Sequence, residues 1–194
     1  GDGLFYSKDR LKTLQPYISP VDNKETFEND VVTTLVKGAY NCLYIGSLRG
    51  GAKELNLTSN KLHDLLSVDE NEEPVLCRNL LVASDNELWI GAESGIYIYN
   101  LRMGKYVHLR SSINDPYSLS DNAIYSLCKD REGGIWIGSY FGGVNYYPRF
   151  HTYFEKYYPK GTNNGLHGKR VREFCQDNQG ILWIGTEDGG LNRF

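Results

Sequence analysis

Proline is scarce in this 194-residue chain, methionine occurs once, and no apolar run approaches the roughly 18 residues that read as a membrane-spanning helix. There is no excess of positive charge. A formal net charge of −3 and a pI near 5.8 leave no basic stripe for a phosphate backbone, so nucleic acid is excluded as a partner. The four histidines, His63, His108, His151 and His167, are scattered, with no HExxH or comparable ligand spacing, so no metal ion or other cofactor is expected. No GxSxG stretch and no Ser-His-Asp arrangement suggests a hydrolase. The four cysteines include no CxxC pair and do not read as a disulfide framework.

What is present is glycine, with 21 residues, and aromatic side chains, 13% of the chain with 15 tyrosines. That mixture suits many short strands joined by tight turns, the composition of an extracellular or periplasmic all-β body. One phrase recurs four times: CLYIGSLRGGAKEL around Gly46, LWIGAESGIYIY around Gly91, IWIGSYFGGVNYY around Gly138 and LWIGTEDGGLNRF around Gly185. The glycines are spaced by 45, 47 and 47 residues, a period of blade-type repeats. The opening GDGLFYS reads as the tail of a further copy, which predicts that the chain belongs to a longer array.

Within the third repeat, AIYSLCKD, IWIGS, GVNYYP and TYFEKYY form four apolar or aromatic runs separated by Gly, Asp, Asn or Pro. Four strands per 47 residues is one blade of a β-propeller. The expected fold is therefore all-β, a propeller fragment of about four four-stranded blades. Its predicted boundaries are the end of a blade at 1–17, blades at 29–70, 75–110 and 122–158, and the start of a blade at 166–194. Starting and stopping inside a blade predicts an open arc that self-associates through its ends. Closure, with Lys12 to Gln15 as the outer strand of the last blade, is the alternative.

Repeated columns read as structural. Tyr44, Trp89, Trp136 and Trp183 share a column expected to fill the space between blades. Gly50, Gly95, Gly142 and Gly189 are expected to close the turn from second to third strand with a positive φ. Cys77 shares its column with Val32, Ile124 and Val171, and Cys128 and Cys175 share theirs with Val36 and Leu81, so these three thiols are expected in the core, unlinked. The column of Cys42 is mixed and leaves its burial open. Asp130 and Asp177 are expected to bond their own turns.

LWIGT followed by GGLNRF, the preceding DNQG turn and the segment NDPYSLSDNAIYSLCKDREGGIWIG resemble the two-component regulator propeller repeats. These repeats build the periplasmic sensor region of hybrid two-component systems in gut Bacteroidetes. The resemblance implies a sensor rather than an enzyme, detecting products of polysaccharide breakdown. It also implies a parent protein held in the inner membrane that signals to a histidine kinase, with the other blades of the parent as neighbours. Tyr44 in place of Trp, and the missing double glycine of the second repeat, depart from the pattern.

The columns that vary are the candidates for ligand contact. Thirteen residues before the repeat glycine stand Thr33, Arg78, Tyr125 and Arg172, flanked by apolar columns and so expected at the channel or its rim. Two and three residues beyond the glycine stand Leu48, Glu93, Tyr140 and Glu187, then Arg49, Ser94, Phe141 and Asp188. Arginine offers a planar fork of donors for carboxylate, sulfate or paired hydroxyls, and tyrosine offers a flat ring with a polar tip for a sugar. Arg78, Tyr125, Tyr140, Phe141 and Arg172 are the predicted ligand-binding residues, with an oligosaccharide as the expected ligand. A protein-docking propeller is the alternative, and a propeller hydrolase or lyase a more distant one.

Overall fold

The computed structural model describes residues 3–9, 12–18, 27, 29–115, 117–150, 157, 159 and 165–194. All sixteen of its regular elements are strands, paired antiparallel. The chain divides into two compact units, Gly1–Ser112 with Tyr117–Phe150, and Ile113–Pro116 with His151–Phe194.

The first unit opens with a two-stranded ribbon, β1 (Phe5–Tyr6) against β2 (Gln15–Pro16). It continues with a four-stranded meander of β3 (Val32–Lys37), β4 (Cys42–Ser47), β5 (Gly51–Asn56) and β6 (Lys61–Leu66). A second meander has the same order in β7 (Cys77–Ser84), β8 (Glu87–Ala92), β9 (Gly95–Asn100) and β10 (Lys105–Leu109). The third sheet comprises β11 (Ile124–Lys129), β12 (Ile135–Ser139) and β13 (Val144–Tyr147). Its expected fourth strand at TYFEKYY lies mostly outside the described residues. The second unit carries β14 (Val171–Gln176), β15 (Leu182–Thr186) and β16 (Gly190–Arg193) in one sheet.

Successive sheets of the first unit bury their faces against each other, and strand β8 shows why its sequence is apolar from Leu88 to Ala92. Leu88, Ile90 and Ala92 point into a cluster with Tyr44, Ala52 and Leu66 of the preceding sheet. Trp89, on the opposite face, joins Ile124, Ile135 and Ile137 of the following one. A strand buried on both faces loses the polar alternation of a surface strand. The repeat glycine makes this stacking possible. A Cβ on Gly46 would lie 2.6 Å from Cys77 Sγ, and one on Gly91 would lie 2.9 Å from Ile124 Cγ2, so the first residue of the next blade's inner strand seats on the bare backbone. Tyr17, Phe27, Ile45 and Leu55 close a third cluster at the side of the first sheet that the opening ribbon covers, with Leu4 packed against it.

Three expectations are corrected. Cys77 is buried as expected, but Cys128 and Cys175 are exposed. Their columnar equivalents Val36 and Leu81 are covered by the next sheet, whereas no later sheet of the first unit covers Cys128, and every residue of β14 is exposed. For the same reason Trp136 is 47% exposed, whereas Trp89 is 1% exposed and meets Tyr147 edge-on at 5.0 Å. The positive φ of the second-to-third strand turn falls on the second glycine of each pair, Gly51, Gly143 and Gly190, with Gly95 alone fitting the expected column. The first glycines answer a different demand. A side chain on Gly189 would run into the backbone of His167, and one on Gly142 into Ser120.

Trp89→Ala is expected to cost about 3 to 5 kcal/mol in urea unfolding, and Trp136→Ala clearly less, because only the first ring is enclosed. Equal losses would contradict the one-sided cover of the third sheet. Burial pushes the Cys77 thiol up to about 12. Alkylation of the folded chain should therefore label Cys128 and Cys175 within minutes and leave Cys77 unmodified, which peptide mass mapping reads directly.

Candidate functional site

In every repeat the ladder between first and second strands slips near the start of the first strand: between Val32 and Thr34, Cys77 and Asn79, Ile124 and Ser126, and Val171 and Glu173, with a second slip between Val82 and Ser84 in the second repeat. The extra residue of each recurring bulge is Thr33, Arg78, Tyr125 or Arg172, the variable column of the sequence. A bulge leaves its extra residue outside the pairing and re-aims its side chain, which frees that position from the alternation of its neighbours. Beyond the bulge one more backbone bond closes each strand pair. Leu48, Glu93, Tyr140 and Glu187 donate their N–H groups to the carbonyls of Val31, Leu76, Ala123 and Arg170. The residue two beyond the repeat glycine is thus held beside the bulge.

In the first unit four of the predicted residues form a continuous row. Arg78 Nε donates to Glu93 Oε1 at 2.6 Å, and the guanidinium lies 4.8 Å from the centre of the Tyr125 ring. Tyr125 donates its hydroxyl to the same Glu93 oxygen at 3.3 Å. The Tyr125 and Tyr140 rings are 5.0 Å apart, and Phe141 meets Tyr140 edge-on at 4.4 Å. Exposure rises along the row, from 30% for the Arg78 side chain to 41% for Tyr125, 60% for Tyr140 and 85% for Phe141. Partial burial, with the Glu93 charge, pushes the Tyr125 phenol up, so it remains a neutral donor. The row contains no imidazole or thiol, and its one carboxylate is held by Arg78. It presents an aromatic surface edged by a paired donor and acceptor.

Arg172 belongs to the second unit. There its guanidinium meets Glu187 Oε1 at 2.9 Å, as Arg78 meets Glu93. Sequence reasoning passed over Glu93, yet a trace of it was visible. Thirteen before and two beyond the glycine the repeats pair Arg with Glu twice and Tyr with Tyr once, so the two columns vary together.

Carboxylates and amides pin the loops that carry these side chains. Asp121 Oδ2 accepts from the Phe141 N–H at 2.9 Å, and Asn145 bonds Ser120 through both ends of its amide. Asp30 does the same work in the first repeat, accepting from Arg49 and Gly50, both at 2.9 Å. In the second unit the direction reverses, with Asp188 accepting from Lys169 and Arg170 while Asn192 grips His167. At the opposite turns Asp130 and Asp177 bond their own backbones as expected. They also accept the indole N–H of Trp136 and Trp183, at 3.2 and 2.9 Å.

The Phe141 N–H, followed by further backbone donors, holds the Asp121 carboxyl below its ordinary value despite some desolvation. A carboxylate with a depressed pKa adds stability that is complete above its unfolded value near 3.9 and vanishes as the pH falls through the lower folded value. Asp121→Asn should therefore lower the urea midpoint at pH 7, and the gap to the parent should narrow below about pH 3.9. A gap that stays constant down to pH 2 would show that the Asp121 charge plays no part.

The family described as two component regulator propeller matches residues 118–141 and 165–188. No curated protein matches the chain. Among solved structures, the extracellular domain of BT3049 from B. thetaiotaomicron, described as a hybrid two-component system, is 22% identical, with a TM-score of 0.53. The extracellular domain of BT4673 from the same organism, described likewise, is 21% identical, with a TM-score of 0.64. Both likenesses cover 100% of this chain, which spans only 30% and 25% of those domains. The chain has the fold of β-propeller blades, and its residues 118–141 and 165–188 are two-component regulator propeller repeats.

Proposed function

We propose that this chain is part of the periplasmic ligand-sensing propeller of a hybrid two-component signalling protein. The parent is anchored in the inner membrane and signals to a histidine kinase, and the segment itself is not catalytic. The remaining blades of the parent are its neighbours, and isolated copies self-associate through their uncovered sheet faces. The ligand is an oligosaccharide released from a polysaccharide. The observation that carries this reading is the row Arg78–Tyr125–Tyr140–Phe141, in which adjoining aromatic faces end at a guanidinium–carboxylate pair. Sugar rings present apolar C–H faces that stack on aromatic rings, and their hydroxyls both donate and accept. Because Glu93 matches the charge of Arg78, the set suits neutral sugar hydroxyls better than a uronate or a sulfate ester. Arg172 with Glu187 repeats the polar half of this arrangement in the second unit.

Titration calorimetry of the chain with soluble oligosaccharides tests the proposal. Saturable heat is expected from a neutral glycan, with Tyr140→Ala plus Phe141→Ala weakening it by about tenfold or more. A propeller that serves only to dock another protein predicts no saturable heat from any glycan. An affinity untouched by the double substitution would move the site elsewhere.

A further inference from the structure

Asp69, Glu70 and His108 are brought together although 38 residues separate the last two in sequence, and one ligand atom from each lies within 4.8 Å of the others. Asp69 and Glu70 sit in the loop after β6, and His108 lies on β10. His108 Nε2 is 2.9 Å from the Ser94 carbonyl oxygen, which can only accept, and 3.3 Å from the Arg110 Nε donor; the shorter contact is satisfied with the proton on His108 Nε2. Its Nδ1 is then a bare lone pair. That atom is buried without a hydrogen-bond partner, on a side chain only 8% exposed, and it faces Glu70 Oε1 at 3.6 Å. Two electron-rich atoms facing each other, one of them buried, repel unless a cation or a proton lies between them.

The other end of each ligand is already held. Asp69 Oδ1 accepts the N–H groups of Asn71 and Glu73, leaving Oδ2 for the cluster. Glu70 Oε2 accepts the Tyr106 hydroxyl at 3.0 Å, leaving Oε1. The His108 ring is stacked on Tyr97 at 3.8 Å. Metal-binding side chains are oriented by such outer partners, which also fix the histidine tautomer. A positive charge already occupies the edge of the cluster: Arg110 reaches Asp69 Oδ2 at 3.3 Å and Glu70 Oε1 at 3.6 Å. Its side chain is 44% exposed, and its Nε also reaches His108 Nε2 at 3.3 Å, so a bound metal must displace all three contacts.

We propose that Asp69 Oδ2, Glu70 Oε1 and His108 Nδ1 form a divalent metal site, of a class that zinc fits, with Arg110 holding the place of the cation until the metal displaces it. One imidazole nitrogen and two carboxylate oxygens leave a fourth, tetrahedral position open to water or ligand. Tetrahedral zinc with ligands near 2.1 Å brings them to about 3.4 Å from one another, so the widest separation must contract by up to about 1.4 Å. Glu70, half exposed, is the member able to move. The carbonyl that orients His108 belongs to Ser94, the neighbour of Glu93, so the metal would brace the loop that carries the Arg78 pair.

Zinc titration of the whole chain by calorimetry is the test, with Cys128→Ser and Cys175→Ser removing the exposed thiols as competing ligands. Saturable binding at one zinc per chain is expected. The partners of metal ligands are themselves worth roughly 10- to 100-fold in affinity, so Glu70→Gln and His108→Gln should each weaken binding at least about tenfold. Arg110→Gln should strengthen it, because the competing charge is gone. Glu70→Gln, at a half-exposed position, retains the fold and keeps the test valid should the histidine variant unfold. Absence of saturable zinc binding overturns the proposal, as does parent-like affinity in Glu70→Gln.

Discussion

The contact on which the rest of the molecule depends is the seating of one blade's inner strand on the repeat glycine of the blade before it. Cys77 lies against Gly46 and Ile124 against Gly91 closely enough that a methyl group would collide. That approach brings the faces of consecutive sheets together and encloses Tyr44 and Trp89. A four-stranded meander with two apolar faces gains its stability from such neighbours, since no sheet of this size buries its own surfaces. Where the neighbour is missing within a unit, the same sequence columns turn outward: Trp136 and Cys128 occupy the positions of Trp89 and Leu81 without their cover.

The bulge that follows from this geometry gives the propeller its variable positions. In the second and third repeats the residue before the bulge is seated on a glycine, while the bulged residue escapes both the ladder and the core. The loop beyond the second strand is pinned alongside by Asp30, Asp121 or Asp188, so the free residue always has a second free residue for company. Arg78 with Glu93 and Tyr125 with Tyr140 are two fillings of one frame, and adjacent blades join them into the aromatic row.

Much of the fold was legible in the order of residues. The period of the Ile-Gly phrase, the turn residues between short aromatic runs and the variability of one column state the blade, its strands and its exposed positions, because strand pairing and turn geometry are local properties that recur with the sequence. Column logic failed where cover was decisive. Cys128 and Cys175 share a column with Val36 and Leu81, but burial is a property of what packs on a residue, and a column does not state whether the next sheet is present. The positive φ was placed one residue early because composition marks the glycine pair without showing which member faces a crossing backbone. The meeting of His108 with Asp69 and Glu70 left no trace in spacing at all, since the last loop of one blade and the outer strand of the next are joined only by the stacking of the two sheets. The sequence by itself determined the repeating blade and its variable columns; the tertiary structure alone decided which of those columns are covered and which distant side chains meet, because both depend on the contact between sheets rather than on any one strand.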